Sequence, residues 1–325
     1  MAVSVDSVLK DWSEQLFYRL PKKGKRCRTV TGTMTPSKAG ATAARLRSPH
    51  VLKATIRAAA RKAPEVMVKI SGAGKGMRQV RAHLDYISRN GQLTLENENG
   101  ELICGKQAVR DLAFEWQHSL LGIPEEGRRR ETFNIVLSMP AGTDREAVRL
   151  AAAEFGRRQF GDDRLYAFVA HEDEPHPHVH LCVKVLGRDG TRLNPRKADL
   201  QLWREQFAEA LRSHGVDACA TPRMARGTRQ KTTSQAKHHR HSFANTVKAP
   251  KEQPYPSERA QVAAYAALAR QLASIGGEGA GLAIDITKTV RRMSGMGELP
   301  QLHVPAAADK IPSKPRDRSA KDHER

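Results

Sequence analysis

Four histidines lie within ten residues of this chain, at a spacing that indicates a metal site. His171 ends an apolar run at residues 165–170, and an acidic, proline-bearing segment, residues 172–177, follows it. His178 and His180 then open a second apolar run. Because alternate side chains of a strand point to the same face, His178 and His180 should lie side by side. A hairpin that turns at residues 172–177 would bring His171 opposite them.

Three converging neutral imidazoles suit a divalent metal whose remaining coordination positions are open to a substrate. The alternative is a solvated, histidine-rich turn. We favour the metal site because the histidines are held in strand register between two apolar runs. A second cluster has no such strand context, and we interpret it as part of a solvated, DNA-facing tail; it contains His238, His239 and His241.

The chain of 325 residues is strongly basic, with a net charge of +20 and an isoelectric point of about 10.2. This charge predicts a polyanionic partner such as nucleic acid. The four cysteines are scattered without a CxxC pair, which argues against a disulfide framework or a zinc ribbon. No apolar run is long enough to span a bilayer, and no secretory segment opens the chain. We therefore expect a soluble protein of a reducing cytoplasm, without membrane insertion.

The basic residues are unevenly distributed, and their distribution predicts three regions. Residues 1–63 carry a net charge of +11 and residues 229–325 carry +8, whereas residues 64–228 are nearly neutral at +1. We predict a folded domain over residues 64–228, flanked by a basic N-terminal extension and a basic C-terminal arm. Both arms are expected to be partly disordered, apart from a short helix near the start of the chain and an Ala-rich helix at about residues 257–275.

One basic cluster in the N-terminal extension either contacts a phosphate backbone or is simply solvated. Its composition leaves both interpretations open, and it says nothing about sequence specificity in either case. The cluster contains Lys22, Lys23, Lys25 and Arg26.

Within residues 64–228, hydrophobic periodicity predicts about four strands and four helices. Strands are expected near residues 65–70 and 131–138 and on both sides of the histidine turn. Helices are expected near residues 80–89, 107–121, 144–160 and 199–214. The hairpin and the alternating strands favour an antiparallel β-sheet with packed helices, an α+β fold.

A glycine-rich segment, residues 71–76, follows the first of these strands. It lacks the GxxxxGK[ST] spacing of a phosphate-binding loop, so we predict a flexible turn between strand and helix. Direct contact with phosphate, through Lys75, is the less favoured alternative.

The next helix carries a tyrosine whose role the pattern alone leaves open. Val80, Leu84 and Ile87 repeat at helical spacing, and His83 and Tyr86 are neighbours on the flank of this apolar stripe. Tyr86 is either a half-buried packing residue or a reactive phenol.

Two stretches resemble the motifs of the plasmid relaxases, or mobilisation nucleases. The sequence HEDEPHPHVH at residues 171–180 is similar to the histidine motif of that family. The sequence HLDYISRNG at residues 83–91 is similar to its tyrosine motif, in particular in the branch that includes the T-DNA border endonucleases. Residues 135–144 are similar to the strand between the two motifs. The resemblance covers roughly residues 64–228.

This resemblance implies a palm-like fold, shared with rolling-circle initiators, and a nicking reaction at a plasmid or mobile-element transfer origin. Tyr86 would be the nucleophile and would form a covalent 5′-phosphotyrosyl bond to one DNA strand. His171, His178 and His180 would hold a divalent metal. The resemblance implies Mg²⁺ or Mn²⁺, although imidazoles alone bind Zn²⁺, Ni²⁺ or Cu²⁺ better.

The implied partners are single-stranded DNA at the transfer origin, accessory nicking proteins, a coupling protein and a type IV secretion system. The implied location is the bacterial cytoplasm, and translocation into a recipient cell with the DNA is compatible with it. The C-terminal arm resembles nothing in that family.

Several other residues near the two motifs are candidates for supporting roles. Those that could hold the tautomer of a ligand imidazole are Asp173, Glu172 and Asp85. His176 is a substrate contact or a loop residue, and metal ligation by it is not favoured. The weak candidates for proton transfer are His83 and Glu131. Those that either contact the DNA backbone or end the helix in solvent are Ser88 and Arg89.

Three other functions share part of this pattern. A rolling-circle replication initiator uses the same chemistry but generally places its histidine motif before its tyrosine, the reverse of the order here. A non-catalytic, metal-containing accessory protein would bind DNA without nicking it. A histidine–metal phosphoesterase would release free DNA ends without a covalent adduct.

Overall fold

The computed structural model describes residues 4–16, 48–119, 121–221 and 256–294. In this part of the chain six strands form one antiparallel sheet in the order β1-β4-β6-β5-β2-β3. The strands are β1 (Met67–Gly74), β2 (Leu95–Asn97), β3 (Leu102–Ile103), β4 (Thr132–Ser138), β5 (Tyr166–His171) and β6 (His178–Lys184). The predicted α+β fold with an antiparallel sheet is therefore confirmed.

Eight helices accompany the sheet in the described residues. They are α1 (Val5–Leu16), α2 (Pro49–Ala60), α3 (Met77–Ile87), α4 (Gly105–His118), α5 (Arg145–Phe160), α6 (Lys197–Ser213), α7 (Pro256–Ile275) and α8 (Gly277–Ser294). Helices α3 to α6 correspond to the four helices predicted for the central region. Helix α8 was not anticipated. Gly276 and Gly277 both have positive φ angles, of 76° and 51°, and break the chain between α7 and α8.

The two faces of the sheet bury different cores. On one face, α5 and α6 pack Phe155 and Phe207 against apolar residues of β4 and β6, such as Ile135 and Leu181. On the other face, α3 and α4 pack against a smaller set, Ala167, Val169 and Cys182. Strand alternation assigns His171 to the face of Val169, and His178 and His180 to the face of Cys182. The histidines therefore lie on the same face as α3.

The first strand is longer than predicted, and the flexible turn expected at residues 71–76 is correspondingly shorter. Residues 71–74 belong to β1, which continues past a register shift between Ile70 and Gly72. The glycines serve close packing. A Cβ on Gly74 would lie 2.7 Å from Oγ1 of Thr132, and one on Gly76 would lie 2.5 Å from the carbonyl oxygen of Glu125.

Helices from both ends of the chain form a second hydrophobic core, which we call the terminal helix cluster. Its members α1, α2, α7 and α8 bury one shared set of side chains, which includes Leu9, Leu52, Ile56, Leu268, Leu272 and Ile286. Lys53 of α2 forms ion pairs of 2.7 Å with Asp6 of α1 and Glu278 of α8. The sheet and helices α3 to α6 are called the sheet domain below. The cluster adjoins this domain at Cys219, whose Sγ lies 4.0 Å from the carbonyl oxygen of Thr55.

Several sequence predictions lie outside the described residues. They concern the basic cluster of Lys22, Lys23, Lys25 and Arg26, the histidines at 238–241, and the disorder of the arms. The domain boundaries at 63/64 and 228/229 also stay predictions. None of the described helices combines the length and apolarity needed to cross a bilayer.

Candidate active site

The hairpin of β5 and β6 brings three histidines together as the strand pattern predicted. His171 pairs directly with His178 across the hairpin, and His180 pairs with Val169. One ring nitrogen from each histidine lies within 4.8 Å of the others. Their ring centroids are 4.5–5.3 Å apart. His176, in contrast, is exposed in the turn.

Backbone carbonyl groups orient two of these rings. Nε2 of His171 donates to the carbonyl oxygen of Ile87 at 2.7 Å, and Nδ1 of His178 donates to that of His176 at 3.0 Å. A carbonyl oxygen can only accept, so these nitrogens carry the protons. The unprotonated nitrogens left for other partners are Nδ1 of His171 and Nε2 of His178. Histidine ligands of metals are usually fixed in this way.

Burial keeps two imidazoles of the cluster, those of His180 and His171, neutral near pH 7. It lowers the pKa of His180 to about 3, with further lowering by the neighbouring His171 and His178. Burial also lowers the pKa of His171, which is 3% exposed. Neutral imidazole is the form that binds metal ions.

The residues present fit a divalent metal ion. They offer three nitrogen donors at a common point and two rings fixed by hydrogen bonds, and burial disfavours protonation of His171 and His180. A carboxylate stands nearby, because Oδ1 of Asp173 lies 3.9 Å from Nδ1 of His171. Such a site can hold a metal beside an oxyanion substrate.

Helix α3 carries Tyr86 to the edge of this cluster. The Tyr86 ring lies edge-on to His180, with centroids 6.2 Å apart, and 57% of the residue is exposed. The hydrogen bond from His171 to Ile87, the last residue of α3, ties the helix to the hairpin. Residues 85 positions apart in the chain therefore share one site, and the phenol stays open to solvent.

His83 lies beside Tyr86 one helical turn earlier. The two rings stack with centroids 6.3 Å apart. Nε2 of His83 is shielded from solvent and has no hydrogen-bond partner among the described residues. Burial lowers the pKa of His83 to about 4, so this ring is also neutral near pH 7.

Arg89 also lies next to the Tyr86 ring. Its guanidinium forms an ion pair with Asp173, and its Cζ lies 5.8 Å from the centroid of the Tyr86 ring. Arg89 and Asn90 both adopt left-handed backbone conformations, with φ of 53° and 56°. The sequence marked Arg89 only as a residue that contacts the DNA backbone or ends the helix. It gave no sign of the pairing with Asp173, which is 84 positions away.

Ser88 supports the backbone at the end of α3 and is not exposed to solvent. Its hydroxyl donates to the carbonyl oxygen of Asp85 at 3.3 Å and accepts from the N–H of Gly91 at 3.1 Å. The fully buried side chain does not fit the predicted contact with DNA backbone. No contact of the Asp85 carboxylate with the histidines is found in the described part of the chain.

Lys75 lies in the turn before α3, at the end of that helix remote from Tyr86. Eleven helical residues separate the two ends by about 16 Å. The N–H of Met77, which a phosphate would need, donates instead to the carbonyl oxygen of Pro124 at 2.9 Å. DNA contact through Lys75 therefore stays a prediction, at a distance from the site.

Glu131 cannot assist Tyr86, because it lies at the opposite end of the sheet. The register pairs Ser138 with His178 but Thr132 with Lys184, which separates the two ends of β4 by about 20 Å. Glu131 instead lies 3.4 Å from the guanidinium of Arg192.

One positioning residue was missed from the sequence. Arg145, in the first turn of α5, donates to the carbonyl oxygens of His171 at 3.4 Å and Glu174 at 2.6 Å. It thereby holds the turn of the histidine hairpin. No local pattern indicates this contact, which depends on how α5 packs against the sheet.

Comparisons with known proteins agree with this geometry. Residues 86–216 match the family described as "Relaxase: MobA/VirD2-like, nuclease domain". The chain is 29% identical over 196 residues to the T-DNA border endonuclease VirD2 of Rhizobium radiobacter, a match that covers 54% of this chain and 46% of that protein. The corresponding protein of Agrobacterium fabrum is 28% identical over 195 residues, with 54% and 44% covered.

The chain therefore matches less than half the length of these curated relatives. The matched part contains Tyr86 and all three clustered histidines. The resemblance predicted from the two motifs is confirmed, because residues 86–216 match the MobA/VirD2-like relaxase nuclease domain.

Proposed function

We propose that this protein nicks one strand of DNA at a transfer origin and stays joined to the 5′ phosphate through Tyr86. The observation that carries the proposal is the convergence of an exposed tyrosine with three clustered histidines from a motif 85 residues away. A structural metal site would not require an exposed phenol beside it.

The proposed reaction is a transesterification. The phenol of Tyr86 gives up its proton to solvent, and its oxygen attacks the phosphorus of one phosphodiester. The bond from phosphorus to the 3′ oxygen breaks, and that oxygen takes up a proton to become a 3′-hydroxyl. His171, His178 and His180 would hold a divalent metal, which would supply positive charge to the phosphate when bound. The product keeps a phosphodiester bond, so the strand can be rejoined by the reverse reaction.

His83 serves in this scheme to hold the tyrosine ring. Its neutral imidazole stacks on Tyr86, but a pKa of about 4 makes it a weak proton acceptor. We therefore assign it packing rather than proton abstraction.

The metal is proposed to be Mn²⁺ or Mg²⁺. The similar proteins are endonucleases, and cleavage of a phosphodiester suits these ions. The available ligands, however, are three imidazoles. Mg²⁺ prefers oxygen ligands, so this donor set favours Mn²⁺ over Mg²⁺.

The partners proposed for such a protein are single-stranded DNA at the origin, accessory nicking proteins, a coupling protein and a type IV secretion system. The proposed location is the bacterial cytoplasm, with translocation into a recipient cell alongside the DNA. The support is the similarity to the border endonucleases and the basic composition of the chain.

The test is adduct formation on labelled single-stranded oligonucleotides that tile the DNA around the protein's own gene, with Mn²⁺ or Mg²⁺. Wild type should give a labelled protein–DNA adduct on a denaturing gel, and Tyr86→Phe should give none. Tyr166→Phe is the matched control, because Tyr166 is buried in the core of the sheet domain. His178→Ala should lose nicking while still binding DNA.

Two results would replace the proposal. Cleavage without an adduct, unchanged in Tyr86→Phe, would indicate a metal phosphoesterase. Binding without cleavage of any tiled sequence would indicate an accessory protein. The order of the motifs, with the tyrosine before the histidines, already favours a relaxase over a rolling-circle initiator.

A further inference from the structure

We propose that Arg89 is a second catalytic residue of this site. In the free protein Asp173 holds its guanidinium next to Tyr86, and in the complex the scissile phosphate displaces the carboxylate and takes over the guanidinium. The inference rests on the proposed function, because it assigns a phosphate to the space beside Tyr86.

The position of the guanidinium is the first reason. Arg89 lies between the proposed nucleophile and the histidine hairpin, with Cζ 5.8 Å from the Tyr86 ring and an ion pair to Asp173. A phosphate attacked by the Tyr86 oxygen must lie within bonding distance of that oxygen. The guanidinium is therefore within reach of the phosphate's other oxygens, and arginine can bind two of them at once.

The backbone is the second reason. Arg89 and Asn90 have φ angles of 53° and 56°, a region that glycine occupies freely and that arginine avoids. Helices that end with a residue of positive φ usually have glycine at that position. An arginine in this conformation indicates that its side chain is needed at this place, which is the direction in which backbone strain supports an inference. The N–H of Asn90 donates to the carbonyl oxygen of Asp85 at 2.7 Å and fixes the turn.

The ease of exchange is the third reason. The side chains of Arg89 and Asp173 are 39% and 52% exposed, so their ion pair is solvated and weak. A phosphodiester carries the same charge as the carboxylate that it would replace. The ion pair with Asp173 therefore orders the Arg89 guanidinium before DNA arrives, and it is weak enough for the phosphate to replace it.

The experiment uses the full chain and compares wild type with Arg89→Gly, Arg89→Lys and Arg61→Ala. Glycine relieves the backbone conformation, so Arg89→Gly should fold. Arg61 is the matched control, because it forms an exposed ion pair with Asp217 that includes no residue of the site. The measurements are the single-turnover rate of adduct formation, the oligonucleotide affinity by fluorescence anisotropy, and the Mn²⁺ affinity by calorimetry.

We expect Arg89→Gly to lower the single-turnover rate about 100-fold or more, as the loss of one charge-stabilising group does. Oligonucleotide affinity should fall by less than about tenfold, and Mn²⁺ affinity should not change. Added guanidinium ion should restore part of the rate in Arg89→Gly, and Arg89→Lys should retain part of it. A rate equal to that of Arg61→Ala, or a loss explained by weaker DNA binding alone, would overturn the proposal. No adduct in wild type itself would reject the proposed function instead.

Asp173→Asn tests the exchange directly. Removing the carboxylate should tighten oligonucleotide binding severalfold in the wild-type background, because the phosphate then has no competitor. In the Arg89→Gly background the same substitution should leave affinity nearly unchanged. Equal effects in both backgrounds would show that Asp173 acts independently of Arg89 and would overturn this part of the proposal.

Discussion

The sheet domain and the terminal helix cluster differ in the kind of side chains that they bury. In the sheet domain, one β-hairpin and one helix, close to each other in space, hold polar and reactive groups beside a modest apolar core. In the cluster, helices from the two ends of the chain enclose an almost wholly apolar core, and the charged pairs stay on its surface.

This difference separates two uses of burial. At the histidines, burial removes charge from imidazoles and prepares them for a metal, which costs stability when they must be protonated. In the cluster, burial of leucines only stabilises. Substitutions at the histidines should therefore change metal binding and nicking, whereas substitutions in the cluster should change the free energy of unfolding.

The largest effect is expected from His180→Ala. Loss of one of three ligands should lower Mn²⁺ affinity at least about 100-fold and nicking about 1000-fold. The free energy of unfolding of the metal-free protein should change little, because the His180 side chain that is lost was only partly buried and polar. His176→Ala is the matched control, since its exposed ring lies in the same hairpin turn outside the cluster. Equal loss of metal binding in both variants would reject the three-histidine site.

The converse substitution is Leu272→Ala in the terminal helix cluster. Leu272 is completely buried, so the free energy of unfolding should fall by about 3–5 kcal/mol, measured by urea denaturation. Nicking per folded molecule should not change. Ile284→Ala on α8 is the control, because Ile284 is 43% exposed and its truncation should cost below about 1 kcal/mol. A loss of nicking in Leu272→Ala at full folding would break the separation between the regions.

The sequence predicted what depends on local order. The alternation of His178 and His180 with apolar residues specified their common face, and the intervening turn placed His171 opposite them. The helical spacing of Val80, Leu84 and Ile87 likewise specified α3. These features follow from backbone periodicities, which neighbouring residues alone express.

What the sequence did not predict depends on contacts across long separations. The pairing of Arg89 with Asp173 and the contact of Arg145 with the hairpin turn arise only when helices pack on the sheet. The terminal helix cluster joins α1 and α2 with α7 and α8, and no pattern within either pair of helices indicates the other pair. The composition predicted only two basic arms. The apolar residues that pack these helices together lie between charged residues and therefore did not stand out.

A third prediction concerns acid stability. Above about pH 6.5, His83 is neutral in both the folded and the unfolded chain. As the pH falls from 6.5 to about 4, the unfolded chain takes up a proton that the folded protein excludes, so the free energy of unfolding decreases and then levels off below pH 4. For His83 this loss is at most about 3 kcal/mol.

The measurement is urea unfolding of metal-free protein at pH 7 and pH 5, for wild type and His83→Gln. The difference between the two pH values should be smaller in His83→Gln. His214→Gln serves as control, because His214 lies at the end of α6 beside Glu154 and away from the site. An unchanged difference in His83→Gln would show that the pKa of His83 is not lowered in the folded protein, and would contradict its assignment as a neutral ring beside Tyr86.

The smallest effect is expected from the ion pairs on the terminal helix cluster. Lys53 contacts both Asp6 and Glu278, but these carboxylates are 60% and 44% exposed. A double-mutant cycle of Lys53→Met and Glu278→Gln should therefore give a coupling free energy of only about 0.5 kcal/mol, and high salt should reduce it further. A coupling above about 2 kcal/mol would mean that α2 and α8 are held together by charge as much as by their leucines. The cluster would then depend on polar groups as the histidine site does, and the contrast between the two regions would fail.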